Sequence, residues 1–326
     1  MLKPKELIQF VIPVFNEIDC IHSLLERLLD VRATVTEFDV DFIFVDDGSL
    51  DGSLDALMEY ADRHEFIKLI GLSKNFGHQA AVTAGLAYSI GDYVCIIDAD
   101  LQDPPELVGD MYAVAKSQNA DVVYGQRKIR KGETKFKRMT AYLFYRLLGS
   151  LCEVDIPLNT GDFRLISRRI YERLNAMPEK HRFIRGMVPW LGFKSVPLLY
   201  ERDERVAGET KYPFKAMVRF ACDAIFSFSI KPLRVATYCG AGICLVSVLG
   251  LMCIVWLKLF TESAVPGVTI ILSAVIFIGG MQLIFFGILG EYIGRIFEQS
   301  KSRPLYVVRS THNIKSDDNI DTRLNN

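Results

Sequence analysis

The sequence has no charge excess of either sign. Its 326 residues carry 38 Lys and Arg against 39 Asp and Glu, a formal net charge of −1. The basic surplus of a general nucleic-acid binder is missing, so no nucleic-acid partner is expected. Cysteine patterning is absent too: none of the seven cysteines stands in a CxxC or metal-ligand spacing. They read as packing residues of a chain kept in a reducing compartment. No signal peptide is expected, because Met1–Glu6 is charged and the next apolar stretch is short and ends in Pro13.

Charge is also missing from two long stretches, residues 235–257 and 263–290. As helices at 1.5 Å per residue, the first spans about 34 Å, enough for a hydrocarbon core of roughly 30 Å. Two membrane helices are expected, at 235–257 and 265–290. Lys231 and Arg234 precede the first, while Arg295, Lys301 and Arg303 follow the second. Basic residues at both outer ends place the large N-terminal part and both termini in the cytoplasm. A polar tail over 311–326 is expected to be disordered.

What is present before residue 235 is alternation. Short apolar runs at Phe10–Ile12, Val40–Val45, Ile67–Leu72, Tyr93–Ile97 and Ala120–Tyr124 read as strands, separated by segments with helical spacing such as Ile18–Leu29. Strands alternating with helices predict an α/β fold, a mostly parallel sheet with helices on both faces. In such sheets ligands bind beyond the carboxyl ends of the strands. The polar clusters Pro13–Glu17, Asp46–Ser49, Ser73–Gly77 and Asp98–Asp103 all fall there. Asp98-Ala99-Asp100 offers two carboxylates one residue apart, a device for a hard cation such as Mg²⁺ or Mn²⁺ shared with substrate phosphates. Alone, such a pair is more often a solvated turn.

Together and in this order, the clusters over residues 8–125 resemble the family 2 glycosyltransferases of GT-A fold, the nucleotide-diphospho-sugar transferase fold. The resemblance implies that Pro13, Val14, Glu17 and Asp46 hold the nucleotide. It implies that Asp98 and Asp100 bind the donor diphosphate and, with Gln102, the metal. Asn159–Leu165 and Gly208–Tyr212 look like acceptor-side motifs of polyprenyl-phosphate glycosyltransferases. Gly290–Arg295 and Arg303–Tyr306 resemble the bacterial branch with two membrane helices, which includes bactoprenol glucosyltransferases and undecaprenyl-phosphate formamidoarabinose transferases. That branch implies a UDP-sugar donor, glucose first, undecaprenyl phosphate as acceptor, the bacterial inner membrane, and a homo-oligomer, a tetramer by family likeness. Formamidoarabinose, GlcNAc, galactose and GDP-mannose remain open as donors. The expected halves are 1–125 for the nucleotide sugar and 126–210 for the acceptor, with 291–326 a cytoplasmic segment and tail.

The Gln-x-x-Arg-Trp motif of processive synthases is absent, since neither Trp190 nor Trp256 follows an Arg. Transfer of one sugar to a lipid carrier therefore fits better than glycan elongation. A phosphate monoester carries about −1.5 to −2 charge near neutral pH and needs little help from a base. It needs cations that offset repulsion from the donor diphosphate. Arg164 and Lys211 are the leading candidates for the acceptor phosphate, with Arg127 and Arg185 beside them. Asp162 resembles the carboxylate that serves as catalytic base in hydroxyl-acceptor relatives; with a phosphate acceptor the alternatives are that it acts as a base, orients the nucleophile, holds Arg164 through a salt bridge or touches the donor sugar. Residues 127–138 carry seven basic side chains against one acid and run into an aromatic stretch. Interfacial helices are accordingly expected near 134–150 and at 211–234.

Overall fold

The structure, a computed structural model, describes residues 4–128, 157, 160–201, 229–260 and 267–314. Eight strands form one sheet: β1 (Leu7–Val14), β2 (Asp39–Asp46), β3 (Ile67–Leu72), β4 (Tyr93–Ile96), β5 (Val122–Arg127), β6 (Thr160–Ser167), β7 (Ser195–Tyr200) and β8 (Val308–His312). Their order is β7-β5-β6-β4-β1-β2-β3-β8. β1 to β4 pair in parallel, and so do β5 and β7, while β6 and β8 pair antiparallel with their neighbours. The helices are α1 (Ile18–Thr34), α2 (Ser53–Arg63), α3 (His78–Ala87), α4 (Val108–Gln118), α5 (Arg168–Ala176), α6 (Ile184–Trp190), α7 (Lys231–Phe260) and α8 (Val268–Ser300). This is the expected α/β architecture.

The strand sequences are apolar on both faces because both faces are covered. Ile8, Phe10, Ile12 and Val14 of β1 pack with α1, α2 and α4, whereas Val11 joins Ile43, Val45, α3, α5 and α6 on the opposite side. β1 is thus central, and its carboxyl end opens beside those of β2 and β4. The loops leaving these three strands are held at one rim of the sheet.

Two expectations about strands shift. β5 extends to Arg127 rather than stopping at Tyr124, since Gly125, Gln126 and Arg127 pair with Leu198, Leu199 and Tyr200 of β7. Arg127 is a strand residue, not the start of a loop. The polar tail begins later than expected: Thr311 and His312 pair with Ile70 and Leu69 at the sheet edge. Asn313 Nδ2 then donates to the carbonyls of Ala61, His64 and Ile67 at 2.6, 3.2 and 2.9 Å. The charge-poor strand edge of β3 is thereby covered, which removes an open template for pairing.

α7 and α8 have 30 and 33 residues and are long and apolar enough to cross a membrane. Leu245, Val246, Ile271 and Phe286 on them are all more than 60% exposed, apolar surface that a surrounding apolar phase would cover. α8 starts at Val268 and continues ten residues past the expected end at Gly290. The stretches expected to be interfacial helices, 134–150 and 211–228, lie outside the described residues, as does Lys211; residues 231–234 form the first turn of α7.

Candidate active site

The rim is built from strand-end loops knitted to one another. Register places Pro13 and Val14 of β1 beside Val45 and Asp46 of β2. Asn16 then adopts φ +54, a left-handed conformation that Asn tolerates. Its N–H donates to Ser49 Oγ at 3.0 Å, and its Oδ1 accepts from Leu50 N at 2.9 Å. Glu17 N donates to Ser53 Oγ at 3.0 Å. Asp46, almost fully buried, accepts from Gly48 N and Ser49 N at 3.2 Å. The structure therefore brings Pro13, Val14, Glu17 and Asp46 to one edge of the crevice.

Asp47, a member of the Asp46–Ser49 cluster that was not among the expected site residues, ties this edge to the next loop. Its carboxylate accepts from Phe76 N at 2.7 Å and Gly77 N at 2.9 Å. Burial pushes its pKa up against the pull of those two bonds. Gly48 sits at φ +76 with the Lys74 backbone so close that a Cβ would lie 2.6 Å from the Lys74 carbonyl carbon. Only glycine fits there. The consequence is a fixed position for His78, the first residue of α3. His78 directly follows the polar cluster Ser73–Gly77, and that adjacency was the available signal for it.

Beyond β4, Asp98 is half-buried, but its Oδ1 is enclosed and meets no hydrogen-bond donor among the described residues; His78 Nε2 stands 3.6 Å away. Burial lifts its pKa to about 6, the His78 cation opposes this, and the charges of Asp162, Asp103 and Asp100 add to the lift. Asp100 Oδ1 accepts from Gln102 N at 3.2 Å across a tight turn in which Leu101 takes φ +60. Asp98, Asp100 and Gln102 thus share one turn. An orphaned buried carboxylate oxygen facing further acids is a donor set that suits a divalent cation. Among the described residues, His78, Asp98 and Asp162 also bring ligand atoms within 4.8 Å of one another.

Asp162 and Arg164 come from the antiparallel β6, on the face shared with Ile166, and Arg185 from α6. Arg185 grips Asp162 with two parallel bonds, Nε to Oδ1 at 2.8 Å and Nη2 to Oδ2 at 2.9 Å. His78 Nε2 lies 2.9 Å from Oδ2. Burial alone would raise the Asp162 pKa, but the Arg185 charge and the bonds from His78 and Arg185 hold it well below the usual carboxylate range. For His78, burial lowers the pKa, yet Asp162 and Asp98 outweigh that and lift it to about 9. At neutral pH the imidazole is a cation between two acids.

Arg164 is only 4% exposed, its Nη2 donating to Gly161 O at 2.9 Å and its Nε to Asp162 O at 3.2 Å. Burial brings its pKa down to about 10. With Arg185 it lines a cavity of about 140 Å³ that also touches Tyr124, Thr160 and Val188. Arg127 engages a different group: Nε donates to Tyr200 Oη at 3.3 Å, Nη2 lies 3.8 Å from Asp103, and Tyr200 Oη donates to the same carboxylate. Arg164 and Arg185 converge on Asp162; Arg127 does not join them there.

The arrangement is a metal- and phosphate-suited rim facing a cation-clamped acid, and comparison with known proteins agrees with it. A family model described as Glycosyl transferase family 2 matches residues 9–174, and one described as GtrB C-terminal hairpin matches residues 231–296. The uncharacterized glycosyltransferase YkcC of Bacillus subtilis is 44% identical over 306 residues, 94% of either chain. The SfII prophage-derived bactoprenol glucosyl transferase of Shigella flexneri is 36% identical over 306 residues, 94% of this chain and 98% of that one. A prophage bactoprenol glucosyl transferase homolog of Escherichia coli K12 is 35% identical over 303 residues, covering 93% and 98%. With every strand-end cluster on the rim that β1, β2 and β4 share, and with matches running nearly end to end, the chain belongs to glycosyl transferase family 2.

Proposed function

We propose that this enzyme transfers a single hexose, glucose, from a UDP-sugar to a polyprenyl phosphate such as undecaprenyl phosphate, with inversion. The observation that carries the reading is the state of Asp162. Both of its oxygens are engaged by Arg185 and His78, and its pKa is pulled far down. A carboxylate so held does not take a proton at neutral pH, and a general base needs a pKa near the working pH. A hydroxyl acceptor would need that base; a phosphate oxyanion does not, its second pKa being near 6. The names of the two bactoprenol transferases point to the same acceptor.

In this reading Pro13, Val14, Glu17 and Asp46 hold the nucleotide, and Asp98, Asp100 and Gln102 would hold Mg²⁺ or Mn²⁺. Such an ion supplies charge neutralisation for the departing diphosphate. Arg164, Arg185 and protonated His78 provide the positive potential that lets two anions approach. An acceptor-phosphate oxygen attacks the anomeric carbon from the face opposite UDP. The glycosidic C–O bond breaks with its electron pair passing to the diphosphate oxygen, and no proton has to be removed. Asp162 orients the cations. Lys211 and Arg127 are proposed as further acceptor contacts. α7 and α8 anchor the enzyme in the bacterial inner membrane, with the catalytic domain and both termini cytoplasmic, as a homo-oligomer.

The test is incubation of the purified chain with undecaprenyl phosphate and a panel of labelled nucleotide sugars, followed by lipid extraction. Labelled lipid from UDP-glucose is expected. Label from UDP-formamidoarabinose or GDP-mannose instead would replace the donor, and no labelled lipid from any donor would overturn the reading.

A further inference from the structure

α8 does not end where its apolar stretch ends. Its unbroken charge-free run ends at Gly290, and Glu291–Ser300 continue the helix for about 15 Å at 1.5 Å per residue. This extension is braced at two levels. Near its base Tyr292 Oη donates to Ser229 O at 2.6 Å, just before α7 begins. Near its tip Gln299 grips the loop between α5 and α6: Nε2 donates to Pro178 O at 2.7 Å, and Oε1 accepts from Lys180 N at 2.9 Å. A side-chain amide here pairs with backbone as a neighbouring strand would. Lys180 Nζ adds a bond to Glu298 O at 2.9 Å, and His181 Nε2 lies 2.7 Å from Glu298 Oε2. Tyr306, just past the helix, is buried in the core layer of α3, α5 and α6.

The same loop leads into α6, yet α6 has its own anchors. Ile184, Met187 and Val188 are buried, Ile184 N donates to Gln79 Oε1 at 2.9 Å, and Arg185 holds Asp162. The Gln299 contacts are therefore not needed to keep Arg185 in place. What they join is the catalytic domain and the membrane-type helix.

We propose that Gln299, with Lys180, His181 and Glu298, is a positioning clamp that fixes the orientation of the catalytic domain on α8, and so presents the crevice to an acceptor held in a bilayer. The inference rests on the proposed lipid-phosphate acceptor. Without the clamp, α8 keeps the Tyr292 bond and the chain running on to buried Tyr306 but loses its tie to the loop between α5 and α6, and a bilayer-bound phosphate meets a correctly oriented crevice less often.

The experiment uses the full chain in nanodiscs, wild type against Gln299→Leu and Gln299→Leu/His181→Leu. Each is assayed with undecaprenyl phosphate in the disc and with a short-chain, water-soluble prenyl phosphate. Transfer to the bilayer acceptor should fall roughly ten-fold in the double variant, in keeping with the loss of a few net-favourable bonds. Transfer to the soluble acceptor, UDP affinity and the unfolding temperature should stay at wild-type values. Gln299→Glu, which still accepts from Lys180 N, should lie between. An equal fall with both acceptors would overturn the proposal by routing the effect through Arg185, and so would unchanged transfer to both. Wild-type failure with both acceptors would instead overturn the proposed reaction.

Discussion

Replacing Asp162 by Asn tests the centre of the site. The substitution keeps size and one acceptor oxygen but removes the charge and turns the other position into a donor. That donor would face a group now donating to Oδ1 or Oδ2: Arg185 Nε at 2.8 Å, Arg185 Nη2 at 2.9 Å or His78 Nε2 at 2.9 Å. Removing one partner of a buried ion pair costs roughly 3–5 kcal/mol. The His78 side chain is 40% exposed and adds little to that figure. With one oxygen kept, about 3 kcal/mol is the reasonable value, and if it falls on the transition state the turnover drops roughly 10²-fold. UDP binding should persist, because the proposed nucleotide side is built from the β1 and β2 ends, whereas the Asp162 carboxylate bonds to Arg185 and His78 and nears Asp98 at the β4 end. The assay is single-turnover transfer from labelled UDP-glucose to undecaprenyl phosphate, with isothermal titration of UDP alongside. Near-wild-type turnover in Asp162→Asn would remove Asp162 from the site. Loss of UDP binding would refute the separation of donor and acceptor sides.

Three further outcomes follow from the same geometry. His78 has a folded pKa of about 9 against an ordinary 6.5, so its stabilising contribution is complete below pH 6.5 and is lost as pH rises through 9. Asp162 acts oppositely: its depressed pKa contributes stability above its ordinary 3.8, lost only as pH falls through the still lower folded value. Thermal unfolding of the metal-free protein should therefore weaken between pH 6.5 and 9, and His78→Gln should flatten that limb; an unchanged limb would contradict the pairing. Gly48→Ala places a Cβ 2.6 Å from the Lys74 carbonyl carbon at φ +76, strain of about 1–3 kcal/mol that must shift the loop. UDP affinity should fall several-fold by titration, and an unaltered affinity would show that the loop is not part of the donor side. Asn313→Ala removes the bonds to Ala61, His64 and Ile67, at a cost of about 1–2 kcal/mol. Hydrogen exchange should quicken in β8 and β3, and unchanged protection there would mean the edge strand is held by other contacts.

The sequence by itself determined the parts written in near neighbours. Apolar runs with polar ends placed β1 to β4 and the rim they share, because burial on both faces requires uninterrupted apolar strands. Asp98, Asp100 and Gln102 were legible because they sit in one turn. The two long apolar helices were legible because hydrocarbon thickness demands a length that few soluble helices reach without charge. Tertiary structure alone decided which distant groups meet. Asp162 finds Arg185 across 23 residues and His78 across 84, since β6 inserts antiparallel beside β4 and α3 starts where Asp47 holds its first turn. Arg127 and Arg185 read alike as cations in the sequence, yet one lies against Asp103 and Tyr200 and the other grips Asp162. The residues from Thr311 to Asn313 looked like tail because short polar strands carry no apolar period; they are held only because β3 leaves an edge for Thr311 and His312. Periodicity reports what a residue's neighbours bury, whereas ion pairs between remote segments depend on strand order and register, which no local pattern encodes.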